Sequence, residues 1–423
     1  MLSNGVRSNK MRVCVVGGGA AGLCAARHLL ARSDRFDFVV YEQTDKIGGT
    51  WNYTDEVGVD KNGLPIHSSM YKHLRTNLPI EIMAFPDFEW KRVENSFPHH
   101  QEVLNYLQKY AQHFELQQFV KFFHHVVNVK REESEWKVAC KNLKTDQVFV
   151  ENYDAIIVCN GRHSKPYFPE DIYNQLKDSN IQVIHTHDYR TSDPFLGKRV
   201  FILGAGPSGI DICLEISKVA EYVYLCHQLK EKFVDFPHNT NQFQSMIESV
   251  DGSNITLKDG NVVEVDVFIF ATGYIVDFDL IDENCGIKVK NKHRILNLYM
   301  HMINIEHPTM AKIGILEKYL PFPFFHQQIL FFLKTLTKEV LLPSKDQMLA
   351  ECEQDFQRRI DRGLPEKHAH KMFPPFLWEY DDKLSKMGDL TPLSDTVRQI
   401  FDYMHLLRDK YMTGYREFNL TLD

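Results

Sequence analysis

The sequence has no run of 18 apolar residues, so no segment is predicted to cross a membrane as a helix, and no membrane anchor is expected. The densest candidate, QQILFFLKTLTKEVLLP, is broken by lysines. The first ten residues, MLSNGVRSNK, lack the apolar core of a secretory leader. Three N-x-T sequons, at Asn52, Asn254 and Asn419, matter only in a secreted chain. A cytoplasmic protein is expected, with secretion the alternative if a leader has been removed. The eight cysteines include no C-x-x-C pair, which argues against a disulfide framework and a structural zinc site. The histidine pairs at 99–100 and 124–125 lack the helical spacing of a two-histidine metal site, so no metal is expected. No long basic run occurs and the net charge is −7, which argues against nucleic acid as a partner. Apolar content of 43% and charged content of 25% are those of an ordinary globular protein. The length suits two or three domains.

What is present is nucleotide chemistry. MRVCVV, Met11 to Val16, is a short apolar run suited to a central parallel strand. It enters GGGAAG, with Gly17, Gly19 and Gly22 in the dinucleotide fingerprint spacing. The first glycine allows the tight turn, the second lets a pyrophosphate approach the backbone, and the third lets helix and strand pack closely. LCAARHLLAR continues as a helix whose N-terminus would face the phosphates. FDFVVYE then reads as a second strand ending in Glu42, where a carboxylate can accept hydrogen bonds from a ribose. Next comes QTDKIGGTW, a Gly-Gly pair of the kind seen in flavoenzymes of this fold, followed by Thr50 and Trp51. No cysteine follows until Cys140, which argues against dithiol chemistry.

KRVFILGAGPSGIDICLEISKVAEYVYLCHQ repeats the pattern, with Gly204, Gly206 and Gly209 in the turn and Ser208 between the last two. Its second strand ends in Cys226, His227 and Gln228 rather than an acid. A carboxylate there would repel a 2′-phosphate, so its absence admits NADPH, with NADH the alternative. No arginine stands ready to grip that phosphate; His227, Gln228, Lys230 and Lys232 are the nearby substitutes. Two dinucleotides in one chain suggest a relay, in which a nicotinamide delivers hydride to a flavin. FAD is assigned to the first turn and the nicotinamide nucleotide to the second. The expected fold class is α/β with two Rossmann-like domains. An FAD domain (1–165 and 276–423) is interrupted by an inserted NADPH domain (166–275). The crossings are DAIIVCNGRHSKPYFPE and VDVFIFATGYIVDFD, the latter carrying Thr272 and Gly273. ATGY also fits an ordinary turn at a strand end.

The chain resembles the flavin-containing monooxygenases, above all their compact insect and yeast forms. The likeness rests on GGGAAG, EQTDKIGGTW, YKHLRTNLPIEIMAFPDF, VCNGRHSKPYFP, HTHDYR, GKRVFILGAGPSG, ATGY and HPTMAKIGIL, in that order. Of the family signature F-x-G-x-x-x-H-x-x-x-Y, His185 and Tyr189 are kept, while Ser179 and Ile181 replace Phe and Gly. The resemblance implies that FAD and NADPH serve a C4a-hydroperoxyflavin that oxygenates amines, pyrrolizidine alkaloids included, or sulfides. It assigns Asn77, in the T-N-x-P position, to the oxygenated flavin. It assigns cofactor contacts to Gly17, Gly19, Ala21, Gly22, Glu42, Gly49, Thr50, Trp51, Thr76 and Val126, and to Gly204, Gly206, Ser208, Gly209, His227, Gln228, Thr272 and Gly273.

Read without the resemblance, Asn77 is a cap or turn residue before Pro79. YLPFPFFHQQILFF, from Tyr319 to Phe332, either lines a channel or fills core. The tail is expected to be helical, with Ser394 as a cap, and to pack on the FAD domain or support a homodimer. The competing activities are a Baeyer–Villiger oxygenase, an NADPH oxidase releasing peroxide, and a flavoprotein that only senses the nucleotide.

Overall fold

Apolar runs become central strands where both faces are covered, and the computed structural model, which describes residues 10–91, 95–276 and 278–420, begins with one. Strand β1 (Met11–Val16) buries its last four residues and runs into α1 (Ala20–Leu30). β2 (Phe36–Tyr41) returns parallel to β1, with Val13 opposite Phe38. Helix α2 (His100–His113) and the short β3 (Val120–Lys121) follow. β4 (His124–Glu132), β5 (Glu135–Asn142) and β6 (Val148–Tyr153) form a separate antiparallel sheet. There β5 shows the alternation of a strand with one covered face: Trp136, Val138 and Cys140 are buried and their neighbours are half-buried. β7 (Ala155–Val158), buried throughout, lies parallel to β1.

After α3 (Glu170–Lys177) a second sheet begins with β8 (Gln182–His185) and β9 (Arg199–Leu203). α4 (Pro207–Ile216), β10 (Tyr222–Cys226) and β11 (Thr240–Phe243) continue it. An antiparallel excursion of β12 (Ile247–Asp251), β13 (Asn254–Leu257) and β14 (Val262–Glu264) precedes β15 (Val267–Phe270), whose four residues are all buried. The hairpin β16 (Lys288–Lys290) and β17 (Arg294–Leu296) then leads back to the first sheet through β18 (Leu298–Tyr299), β19 (Ile303–Asn304) and β20 (Met310–Lys312).

The first sheet has the order β18-β19-β20-β7-β1-β2-β3 and the second β11-β10-β9-β15-β8. In each, the strand that feeds a glycine turn is interior, with β1 between β7 and β2, and β9 between β15 and β10. Connections leaving such a strand to opposite sides open a crevice at its C-terminal end, where nucleotides bind. The two crossings are hydrogen-bonded to each other: Tyr167 N donates to Gly273 O at 2.9 Å and Ile275 N to Lys165 O at 3.0 Å.

Longer helices follow: α5 (Pro321–Leu336), α6 (Lys345–Asp361), α7 (Phe376–Gly388) and α8 (Asp395–Lys410). The aromatic run that sequence left between channel and core is largely core. Phe324, Phe331, Phe332 and Leu333 of α5 are fully buried in the same cluster as Leu23, Ala26 and Leu29 of α1. Ser394 caps α8 by accepting from Val397 N. Among the described residues, no helix is long and apolar enough to cross a membrane.

Candidate active site

The first and third glycines of each turn are required by the protein itself. Gly17 has φ +103°, and a Cβ there would lie 2.6 Å from Cys159 O. Gly204 has φ +114° and the same conflict with Ala271 O at 2.5 Å. A Cβ on Gly22 or Gly209 would strike the carbonyl oxygen of Gly17 or Gly204 at 1.8 and 2.1 Å. The middle glycines differ. A Cβ on Gly19 would be in ordinary contact with Gly49 Cα at 3.5 Å, and one on Gly206 would meet nothing within 4 Å. Both helices start at these middle glycines with no side-chain cap. Two uncapped helix ends, each starting at a glycine that the protein's own packing does not require, suit the pyrophosphates of two dinucleotides.

Around the first turn, Glu42 stands buried directly beyond β2. Its Oε2 accepts from Gly18 N at 2.7 Å, and its Oε1 accepts from Thr44 N and Thr44 Oγ1, both at 2.8 Å. Val126 is buried in β4, next to His125, whose Nδ1 meets Gln43 Oε1 at 3.2 Å. Ala21 is buried in the first turn of α1. Gly48 N donates to Gly18 O at 3.1 Å, which brings Gly49 against the turn. Asn52 is buried and donates through Nδ2 to Ile47 O and Gly49 O, so that sequon's amide is engaged inside the protein. Thr50 O accepts from Ser68 Oγ at 2.7 Å, and the Trp51 ring sits edge-on to Phe322.

Around the second turn, Gly206 and Ser208 are exposed. Gln228, Lys230 and Lys232 are exposed beyond β10. His227 instead turns inward, buried, with its ring 5.4 Å from Phe233 and its pKa lowered by that burial. Thr272 donates its hydroxyl to Tyr167 O at 2.5 Å, a tie between the crossings. Gly273, with φ +82° and open space before it, closes the turn.

Asn77 lies in a bend between the units and does not cap a helix: the cap of the following short helix is Pro79. The preceding residue, Thr76, is buried, and its Oγ1 has no hydrogen-bond partner. A buried hydroxyl without a protein partner is left to bond a water or a bound group.

Arg190, the last residue of HTHDYR, carries no signal in the sequence for the role it has in the fold. Its guanidinium, buried at the joint, donates to five carbonyls: Thr54 at 2.7 Å, His187 at 2.8 Å, Tyr189 and Glu56 at 3.0 Å and Ser68 at 3.2 Å. It binds the approach to the second unit onto the 54–68 loop of the first. His187 Nε2 adds a contact to Ile66 O at 2.8 Å. His185 is held neutral, its pKa pushed down to about 4 by burial and then by His187.

A second grouping was also missed. Cys24 and His28, one turn apart on α1, meet His326 of α5, with ligand atoms within 4.8 Å of one another. His28 Nε2 and His326 Nδ1 are 3.1 Å apart, and Asp87, paired with Arg27 at 3.3 Å, lies beside them. The ring–ring hydrogen bond and that ion pair account for the cluster as a buried polar knot.

Comparison with known proteins agrees with this geometry. A family model described as flavin-binding monooxygenase-like matches residues 10–234 and 239–391. The chain is similar to the flavin-containing monooxygenase FMO GS-OX5 of Arabidopsis thaliana, 32% identical over 97% of this chain and 96% of that one. It is similar to the senecionine N-oxygenase of Tyria jacobaeae, 28% identical over 97% and 90% of the two chains. Among solved structures it is similar to the S-allyl-L-cysteine S-oxygenase of Allium sativum, with a TM-score of 0.88 and 28% identity over 97% and 96% of the chains.

Proposed function

The chain belongs to the flavin-binding monooxygenase-like family, and from that premise we propose that it oxygenates soft nucleophiles with NADPH and O2. The substrates are tertiary amines, pyrrolizidine alkaloids among them, or thioethers, in keeping with the N-oxygenase and S-oxygenase it is similar to. The observation that carries this reading is the pair of uncapped helix ends, each starting at a glycine whose Cα no protein atom crowds, with the Thr76–Asn77 bend tied to the second of them through Arg416 and Asp211. NADPH supplies two electrons; one oxygen atom goes to the substrate and the other leaves as water, whereas uncoupled turnover releases both as hydrogen peroxide.

Bound FAD supplies the redox chemistry, accepting hydride from the nicotinamide and activating O2. The turn at Gly17, Gly19 and Gly22 and the start of α1, with Ala21, hold its pyrophosphate. Glu42 takes its ribose, and Val126 flanks the adenosine end. Gly49, Thr50, Trp51 and Thr76 line the rest of its path. Gly204, Gly206, Ser208 and Gly209 hold the NADPH pyrophosphate at α4. Gln228, Lys230 and Lys232 are the exposed polar groups within reach of a 2′-phosphate. His227, at the end of β10, and Thr272 and Gly273, just past the end of β15, border the same turn. Asn77 presents a neutral amide that donates and accepts hydrogen bonds without delivering a proton. Arg190 closes the joint and keeps water from the reacting centre.

The test is to supply the purified holoenzyme with NADPH, labelled O2 and either a tertiary amine or a thioether. One labelled oxygen per product and one product per NADPH is the expected result. Peroxide formed one for one with NADPH, whatever substrate is present, would make the protein an oxidase. Asn77→Ala is expected to keep FAD and raise the peroxide share; unchanged coupling would remove Asn77 from the mechanism.

A further inference from the structure

The group that orients the Asn77 segment comes from the far end of the chain. After α8, a short turn at Tyr415–Glu417 lies against both nucleotide units. Arg416 Nε donates to Thr76 O at 2.9 Å. Its Nη1 and Nη2 grip the two carboxylate oxygens of Asp211 at 2.9 and 2.6 Å. Asp211 belongs to α4, the helix that starts at the second glycine turn, and also accepts from Tyr71 OH at 3.0 Å.

The strap is itself anchored. Arg416 O accepts from Arg75 Nη2 at 2.8 Å, and Glu417 pairs with Arg75 Nη1 at 2.6 Å. Leu420 N donates to Ser96 Oγ at 2.8 Å, and the buried Tyr415 ring packs on Phe97.

The consequence follows from peptide geometry. Thr76 O and the Asn77 N–H belong to one trans peptide unit, so they point in opposite directions. Fixing the carbonyl on Arg416 aims the Asn77 N–H away from the strap. That N–H donates to no protein acceptor among the described residues. On its other side, Thr76 N is held by Pro98 O at 2.9 Å, so rotation of the 76–77 peptide is resisted chiefly by Arg416. Both partners of the Arg416–Asp211 fork are largely buried, at 18% and 16% side-chain exposure, so solvent screens the pair little.

We propose that Arg416 is a positioning residue: it sets the orientation of the Thr76–Asn77 peptide and couples it to the helix carrying the second nucleotide turn. The C-terminal strap thereby sets how much oxygen reaches substrate and how much escapes as peroxide. This inference rests on the role given to Asn77 above.

The experiment compares the wild-type holoenzyme with Arg416→Met, Arg416→Lys and Asp211→Asn, and with Arg416→Met combined with Asn77→Ala. It reads peroxide and product per NADPH, and hydrogen exchange of residues 74–80. Arg416→Met is expected to raise the peroxide share about tenfold, the scale of one lost charged hydrogen bond, and to speed exchange at 74–80. Arg416→Lys is expected to recover part of the loss. In the Asn77→Ala background, Arg416→Met is expected to add no further leakage, because the two act as one unit. Wild-type coupling in Arg416→Met, or equal added leakage in that background, overturns the proposal. Should Arg416→Met fail to hold FAD, Asp211→Asn decides, since it keeps the arginine but frees its guanidinium; unchanged coupling and exchange there overturn the proposal. If the wild type makes no oxygenated product, the functional reading falls, and the exchange data alone still decide whether Arg416 orders the bend.

Discussion

Replacing Gly206 by alanine separates what the protein needs from what a ligand needs. Gly206 has φ −73° and ψ 179°, an extended conformation open to any residue. The new methyl meets no protein atom within 4 Å. Folding is therefore unharmed, and the reduced freedom of the unfolded chain adds about 0.4–1 kcal/mol of stability. The same methyl projects into open space, where the proposal above puts the NADPH pyrophosphate. Overfilling such a contact costs about 1–3 kcal/mol, which is about a 5–150-fold rise in KM for NADPH. The matched control is Gly204→Ala. Its positive φ and the 2.5 Å approach to Ala271 O place the strain in the protein itself, with a loss of stability of about 2–4 kcal/mol. The assay is thermal melting together with FAD content and KM for NADPH. A Gly206→Ala variant with wild-type KM would refute the assignment of this turn to NADPH. One that melts as early as Gly204→Ala would refute the packing argument.

Glu42→Gln keeps the shape but loses an acceptor facing Gly18 N or Thr44, so FAD affinity is expected to fall about tenfold or more; an unchanged dissociation constant would remove Glu42 from the cofactor site. Arg190→Met strips donors from five carbonyls at the joint and is expected to destabilise the fold by about 3 kcal/mol or more, read as a lower melting temperature. The pH dependence follows from His185 and His28. Burial holds both below the ordinary 6.5, at about 4 for His185 and, with His326 adding to burial, about 3 for His28. The unfolded chain binds these protons first. Stability is therefore complete above about pH 6.5 and lost on acidification, by about 3 kcal/mol at pH 4 for His185 alone. A melting temperature flat from pH 7 to about 4 would contradict this.

The two strand–turn–helix–strand units were legible in the sequence because they are local. A strand, a glycine turn, a helix and a second strand span some thirty residues, and their periodicity and spacing do not depend on the rest of the chain. Hence both turns, the placement of Glu42 after β2 and the Ser394 cap read correctly. Side-chain direction was not legible. His227 turned inward and Thr272 bonded across the crossings because neighbours in loops, Phe233 and Tyr167, decided it. That Asn77 is not a helix cap also needed the fold.

The contacts that assemble the site depend on tertiary structure alone. Arg416 reaches Thr76 across 340 positions and Asp211 across 205, and His326 reaches His28 across 298. No periodicity or motif records such separations, since these pairs meet only after two sheets and the closing helices have packed. The sequence by itself determined that this chain folds two nucleotide units of one family. The tertiary structure decided how they face each other, because buried guanidiniums must be fully paired, and Arg190 and Arg416 complete their hydrogen bonds only by adding acceptors from the other unit, Thr54, Glu56 and Ser68 for the one and Asp211 for the other.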